Sequence, residues 1–395
     1  NCDTGPEVEA WSRYDAARVA LWKGYYDTVQ AKAPGAYAIL EHLSENSEEK
    51  ELAAYGMLFW GNMSYNYQEA AMGYIGNSNL EYGLYSARGW AQPHLITYME
   101  SHDEERIVFK NINYGASSGN YNIRDTATAL KRMELAATLF LAQPGPKMIW
   151  QFGELGYHFP INYCEDGTIN NACRVAPKPI RWDFTTDPRR KSVYHTYRRM
   201  LQLRAHPSFR NAFLAGTTSQ SLAGAVKWLQ LNTDSSRMLV VGNFDVVPQT
   251  ATVTFAQAGT WYGYLDSTTF TATGSAQNII LQPGEYRVYL NRNVHQLANT
   301  PVRNVPGGEA ALQASAFPNP VASSCTIAFT LPRSGTVQLD LVDNNGRVLR
   351  QLQSRFYPRG THRAVFSRKE LTLVPGIYFI RLRTGEQTKT ISLIF

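Results

Sequence analysis

Two acidic residues stand where short apolar runs end. Tyr98-Met99-Glu100-Ser101-His102-Asp103 puts an adjacent His-Asp pair just past His94-Leu95-Ile96-Thr97-Tyr98-Met99, a run with the length and bounds of a buried strand. Upstream, Tyr37-Ala38-Ile39-Leu40-Glu41-His42 repeats the arrangement, an apolar run closing on a carboxylate. If both runs are strands of a parallel α/β barrel, their C-terminal ends converge on one face and the acids share a pocket. Two carboxylates in one pocket are the minimum apparatus for cleaving a glycosidic bond. Glu41 suits the proton donor, because a carboxyl at the rim of an apolar strand tends to hold its proton. Asp103 suits charge stabilisation beside a sugar ring. Taken alone, Glu41 reads as a capping or surface acid, like the neighbouring Glu45, Glu48, Glu49 and Glu51, which read as solvated. His102-Asp103 alone reads as a helix cap.

The elements that must position these residues alternate. Ser12 to Val29 has helical apolar spacing, with Trp11, Tyr14, Leu21, Trp22, Tyr25 and Val29 in phase and Ser12 as its cap. Strands are predicted at 36–40, 55–60, 94–99 and 146–151, and helices at 125–141 and 192–204. This alternation argues for a parallel α/β sheet. Four units are present and a closed barrel needs eight, so the expectation is the C-terminal half of a (β/α)8 barrel, with the rest before Asn1. After residue 213 the pattern becomes short β-rich runs, such as Ala225 to Leu231 and Tyr286 to Leu290, separated by Gly, Pro, Asn and Asp. The predicted organisation is a partial barrel at 1–213, an antiparallel β-sandwich domain at 214–291, a linker at 292–312 and a small Ig-like β-sandwich at 313–395. In the last, Val337 to Val342 alternates apolar and polar residues, with Gln338 and Asp340 facing outward, and Asp343-Asn344-Asn345-Gly346 turns the chain.

Composition narrows the partners. The 395 residues are 18% charged but 12% aromatic, with 23 Tyr and 8 Trp, which suits neutral polar ligands that stack on rings as well as an ordinary core. The net charge of +6 is scattered rather than clustered, so no nucleic-acid footprint is present. No apolar run approaches the roughly 18 residues of a membrane span. Cys164 and Cys173 bracket a polar loop that a disulfide could close, though two unrelated thiols fit the spacing as well.

Residues 1–290 resemble glycoside hydrolase family 13, the α-amylase family. His102-Asp103 after a strand is similar to its fourth conserved region, with Ser101 where Asn is usual. Ile39-Leu40-Glu41 resembles the third region, and Phe152-Gly153-Glu154 the segment that ends the last barrel strand. The resemblance implies a retaining hydrolase of α-glucans, with Glu41 as acid/base, Asp103 as transition-state stabiliser and His102 as a sugar contact. It allows calcium, for which the sequence identifies no ligands. The family nucleophile is an Asp two residues after an Arg. Arg13-Tyr14-Asp15 mimics that motif, but Asp15 reads as a first-turn helix acid, and the nucleophile is then expected upstream of Asn1. The rival reading is a non-catalytic glucan-binding protein. Ala316-Phe317-Pro318-Asn319-Pro320, Asp343 to Leu349 and Pro375 to Leu382 resemble the C-terminal sorting module of the type IX secretion system. That implies a secreted product, or one attached to the cell surface at the outer membrane, with the secretion machinery as partner.

Overall fold

Asp15 starts the first helix, α1 (Ala16–Lys32): its carboxylate accepts the backbone N–H groups of Ala17 and Arg18 at 2.9 and 3.2 Å. Sequence reasoning gave that role to Ser12 and put Asp15 inside the first turn. The structure makes Asp15 itself the cap, with an extended φ of −126° and an acceptor for the unpaired N–H groups of the first turn. The computed structural model describes residues 12–294 and 312–394, apart from 320, 322, 344–346, 368–375 and 386. Trp11, most of the expected linker and the Asn344–Gly346 turn therefore lie outside the described residues. The chain forms two units, Asn1–Asn299 and Thr300–Phe395.

In the first unit, β1 (Ile39–Leu40), β2 (Leu58–Asn62) and β3 (Leu95–Tyr98) pair in parallel in chain order, with Leu40 level with Phe59 and Phe59 level with Leu95. The connecting helices are α2 (Asn46–Tyr55) and α3 (Ser64–Met72), and α4 (Ile107–Tyr114) follows β3. Each strand-to-helix step delivers a loop to the same end of the sheet. The second strand begins at Leu58 rather than Tyr55, because α2 runs through Tyr55 and stops at Gly56, whose φ is +128°. The fourth expected strand shrinks to one parallel bridge, between Lys147 and Thr97. Pro146 has no N–H to extend the ladder, and the backbone turns left-handed at Phe152, φ +57°.

A small hairpin, β4 (Ser117–Ser118) and β5 (Tyr121–Asn122), leads into α5 (Thr126–Ala142), a helix almost wholly buried from Ala129 onward. α6 (Pro188–Ala205) begins four residues before its expected start, where Asp187 caps and Pro188 takes the first helical position. After α7 (Arg210–Ala215) come β6 (Thr217–Ser221), β7 (Val226–Asn232), β8 (Arg237–Asn243), β9 (Gln249–Thr254), β10 (Gly259–Gly263), β11 (Thr269–Ala272), β12 (Ala276–Leu281) and β13 (Tyr286–Leu290). They make a six-stranded antiparallel sheet in the order β11-β10-β13-β8-β7-β6, and a β9–β12 pair. β8 is buried on both faces. Met238 and Val240 join the core built around α5, while Leu239 and Val241 face Val253, Phe255 and Trp261. Gly242 is required where α5 comes close, since a Cβ there would strike Leu135.

The second unit has β14 (Gln313–Phe317), β15 (Ser324–Leu331), β16 (Gly335–Val342), β17 (Val348–Tyr357), β18 (Gly360–Ser367), β19 (Ile377–Thr384) and β20 (Gln387–Ile394). Two antiparallel sheets result, β14-β15-β18 and β17-β16-β19-β20. They share one core, in which Ile327 and Phe329 meet Leu339, Leu341, Ile380 and Leu382. Asp340 departs from its expected solvent-facing place: it is 1% exposed, covered by Arg383 (2.6 Å) and Gln338 (2.9 Å).

Arg132 ties α5 to both of its neighbours. Its fully buried guanidinium donates to the carbonyls of Ala70 and Ala71 at the end of α3, and to those of Phe244 and Asp245 after β8. Arg132→Leu strands those buried acceptors and is expected to cost at least about 3 kcal/mol, at about 1–3 kcal/mol per unpaired group. Urea unfolding of the chain checks this; a loss under about 1 kcal/mol, within the range of one ordinary hydrogen bond, would mean the carbonyls find other donors.

Candidate active site

Glu41 follows β1 directly, and His102 and Asp103 lie in the loop between β3 and α4. The three side chains come together: one ligating atom from each lies within 4.8 Å of the other two. His102 Nε2 is 3.2 Å from Asp103 Oδ2, and both side chains are nearly half exposed. Glu41 is exposed too, so the apolar rim that sequence reasoning placed around it does not enclose it. Two exposed carboxylates and an imidazole do not make the oxygen shell of about 6–8 ligands that calcium takes, and they fit proton and charge chemistry better.

An aromatic wall backs the trio. The His102 ring lies 6.2 Å from Trp60 and 5.9 Å from Trp150, and Trp60 meets Tyr98 edge-on at 5.8 Å. Burial raises the Tyr98 phenol's pKa, and the charges of Glu104, Glu41 and Asp103 add to the shift, so it stays a neutral donor beside the acids. Glu104 accepts from Asn62 Nδ2 at the end of β2 (2.6 Å). Arg174, from a distant loop, donates to the Asp103 carbonyl at 2.6 Å. Sequence reasoning missed Trp60, Asn62, Tyr98, Glu104, Trp150 and Arg174. The strand-end logic that found Glu41 reaches Trp60 and Asn62 once β2 is extended to Asn62; nothing local marks Arg174.

Behind Glu41 the chain is anchored by charge. Glu48 and Glu49, expected in solvent, are 0% and 2% exposed. The reason is that α2 turns them onto cations. Glu48 takes Arg18 Nε and Nη2 at 2.6 and 2.7 Å, the Asp15 N–H at 2.9 Å and His42 Nε2 at 2.5 Å. Glu49 pairs with Arg88 at 3.2 Å. Asp15 belongs to this network, where its carboxylate caps α1 and faces Arg18; it is outside the Glu41–His102–Asp103 cluster. Glu154 lies just past Phe152 in a short 3-10 turn, and burial raises its pKa. Cys164 and Cys173 form a disulfide, while among the described residues Cys325 is free and buried.

The comparisons fall in two parts. Residues 315–395 match the family described as a secretion system C-terminal sorting domain. A search of curated proteins finds no match. Among solved structures, an α-amylase from Geobacillus thermoleovorans complexed with acarbose matches with a TM-score of 0.50 and 14% identity, over 70% of this chain and 57% of that one. An α-amylase from H. orenii matches with a TM-score of 0.49 and 14% identity, over 70% and 57%. A cyclomaltodextrinase matches at 0.47 and 18%, over 69% and 43%. At such identities the likeness is one of fold: the chain shares the α-amylase fold over most of its length and ends in a sorting domain. It spans 57% of the length of the first of these amylases. Among the described residues no helix is long and apolar enough to cross a membrane.

His158 supplies a pH test of this region. Burial, with the Arg190 and Arg181 guanidiniums nearby, pushes its imidazole down to about 4. The unfolded chain therefore binds more protons than the folded one between the ordinary value near 6.5 and about 4. Stability contributed by neutral His158 is present above that window and is lost as pH falls through it. His158→Gln should flatten the decline in urea-unfolding stability between pH 6.5 and 4; an unchanged slope would place the acid sensitivity elsewhere.

Proposed function

We propose that this chain is part of an exported retaining hydrolase of α-glucans, with Glu41 as the general acid/base, Asp103 as the carboxylate that stabilises the positive sugar ring and His102 as a ring contact. The observation that carries this is the meeting of Glu41, His102 and Asp103 within 4.8 Å at one end of a parallel sheet. Tyr98, Trp60 and Trp150 give the pocket apolar ring faces and a neutral hydroxyl, suited to an uncharged sugar. The α-amylase fold supports the same reading.

The same reading makes 1–213 part of a (β/α)8 barrel, 214–291 its β-sandwich companion and 313–395 an Ig-like module read by type IX secretion machinery, which releases the protein outside the cell or leaves it on the outer membrane surface. A parallel sheet is normally covered on both faces. Here Tyr37, Ile39 and Leu43 are exposed near β1, and Ile149, Ile180 and Trp182 near the other edge. Further strands along those edges would close the barrel and bring the nucleophile. The alternative, a glucan-binding protein without turnover, draws on Asp15: its carboxylate is engaged at the start of α1.

Purified as residues 1–395, the chain is expected to release no sugar from starch. In a complete barrel, Glu41→Gln should lower kcat by about 10²–10⁴-fold with KM little changed, because proton transfer acts in the transition state. Asp103→Asn should behave alike. Near-normal turnover by Glu41→Gln would move the acid/base elsewhere, and sugar release by residues 1–395 that survives Asp15→Ala but not Glu41→Gln would show that no further strands are needed.

Removing residues 313–395 should leave sugar binding intact and trap the protein inside the producing cell. Normal export of the shortened protein sinks the sorting role. Export combined with lost affinity for insoluble starch would make the module a carbohydrate-binding domain.

A further inference from the structure

The segment from Phe159 to Lys178 lies over the loop that carries His102 and Asp103. It is stapled by the Cys164–Cys173 disulfide, Cα–Cα 5.2 Å, and by Lys178, whose Nζ gathers the carbonyls of Tyr163 (3.3 Å), Cys173 and Arg174 (3.4 Å). The stapled strap grips the site loop at two points. The Ile161 N–H donates to both Glu105 carboxylate oxygens, at 3.2 and 3.1 Å, and Arg174 Nη2 donates to the Asp103 carbonyl at 2.6 Å. Between strap and loop is a cavity of about 310 Å³ whose walls include His102, Glu104, Arg106, Trp150, Tyr157 and Phe159.

Arg106 is the informative residue. It is 3% exposed, and neither of its Nη atoms has a hydrogen-bond partner. Its ion pair with Glu100 is long, 3.9 Å. A buried donor left unpaired costs about 1–3 kcal/mol, so a ligand that accepts from it gains what the fold forgoes. An apolar ligand would leave the guanidinium unsatisfied. An anion would find Arg174 and Lys178 on the wall besides Arg106, but both already donate to backbone carbonyls, and it would face Glu104 on the wall and the Glu100, Glu105 and Glu154 charges that act on Arg106. A neutral polyol matches both: its oxygens accept from Arg106 and its hydroxyls donate to Glu104, while Trp150 and Phe159 add aromatic surface to the wall.

We propose that this cavity is a subsite for one neutral sugar ring next to the ring held at His102, and that the Cys164–Cys173 staple keeps it open. The proposal rests on the reading of the chain as a glucan-acting protein. An exported protein meets an oxidising environment in which such a staple persists. Without it the strap regains freedom, the wall of the cavity is lost and Arg174 no longer fixes Asp103.

The test is calorimetric titration of the oxidised 1–395 chain with maltose, maltotriose and maltotetraose. Affinity should rise about tenfold, or 1.4 kcal/mol, at the step where the added ring reaches the cavity. The Cys164→Ser/Cys173→Ser double variant should bind the longer sugar no better than the shorter one. Should that variant fail to fold by circular dichroism, Ala176→Phe, which fills the cavity and leaves the disulfide intact, should abolish the same step. A step that persists in the folded variants overturns the proposal, and so does wild-type binding with no step at all, while leaving the glucan reading in place. Absence of any binding to all three sugars sinks both.

Discussion

The loop between β3 and α4 takes its shape from one buried carboxylate. Glu100 is 4% exposed; its Oε1 accepts the N–H of Ile107, the first residue of α4, at 2.8 Å. A helix start needs an acceptor for its unpaired N–H groups and favours negative charge, so Glu100 closes the six intervening residues into a loop whose tip carries His102 and Asp103. The second oxygen faces Arg106 on one side and Gly153 on the other, where a Cβ would come within 2.5 Å. A side chain at 153 would push that oxygen aside, so glycine suits the place where the chain after Lys147 passes Glu100. Burial raises the Glu100 pKa while Arg106 and the Ile107 N–H oppose the rise, a balance that holds only while the loop is closed.

Glu48 does the same for the other half of the pair. It is the common acceptor of Arg18, His42 and the Asp15 N–H, so the residue after Glu41 and the start of α1 are fixed to one point. Burial lowers the His42 pKa although Glu48 opposes the change. The site thus has two characters. Its rear is a pair of buried acid–cation groups, expensive to break because a lost partner leaves a charge in low dielectric. Its front, Glu41 with His102 and Asp103, is exposed and touches solvent. Geometry is set from behind, leaving the three side chains in front free to meet a ligand.

How much of this was legible follows from the range of each interaction. The meeting of Glu41, His102 and Asp103 was legible because a parallel sheet sends all its strand ends to one side, and strand ends are visible as apolar runs. Glu48 and Glu49 were not: a Glu-rich helix start looks solvated until Arg18, His42 and Arg88 arrive from elsewhere. The same holds for Asp340, hidden by Arg383 from the neighbouring strand. Ser12 and Asp15 both fit a cap, and the structure separates them: the helix begins at Ala16 and Asp15 makes the cap hydrogen bonds. The run at 146–151 has strand composition, yet Pro146 withholds a donor and Phe152 turns the backbone, facts of hydrogen bonding rather than hydropathy. The Cys164–Cys173 pairing needed a distance that spacing does not supply.

The break at residue 213, clear in the sequence, is a change of secondary structure and not of core. α5 packs against α3, α4 and α6 on one side and presents Leu135 and Leu139 to a cluster that includes Leu229, Leu231, Met238 and Val240 on the other. Arg132 crosses the same boundary with hydrogen bonds in both directions. A helix buried on every side cannot lose the β-sheet without exposing most of its surface, so the sheet acts as a wall of the α/β part. The second unit differs in kind, since Ile327, Phe329, Leu339 and Leu382 close a core from its own two sheets. A module with its own core can serve as a removable address, whereas the sheet at 214–291 is part of what holds β3 and its loop in place.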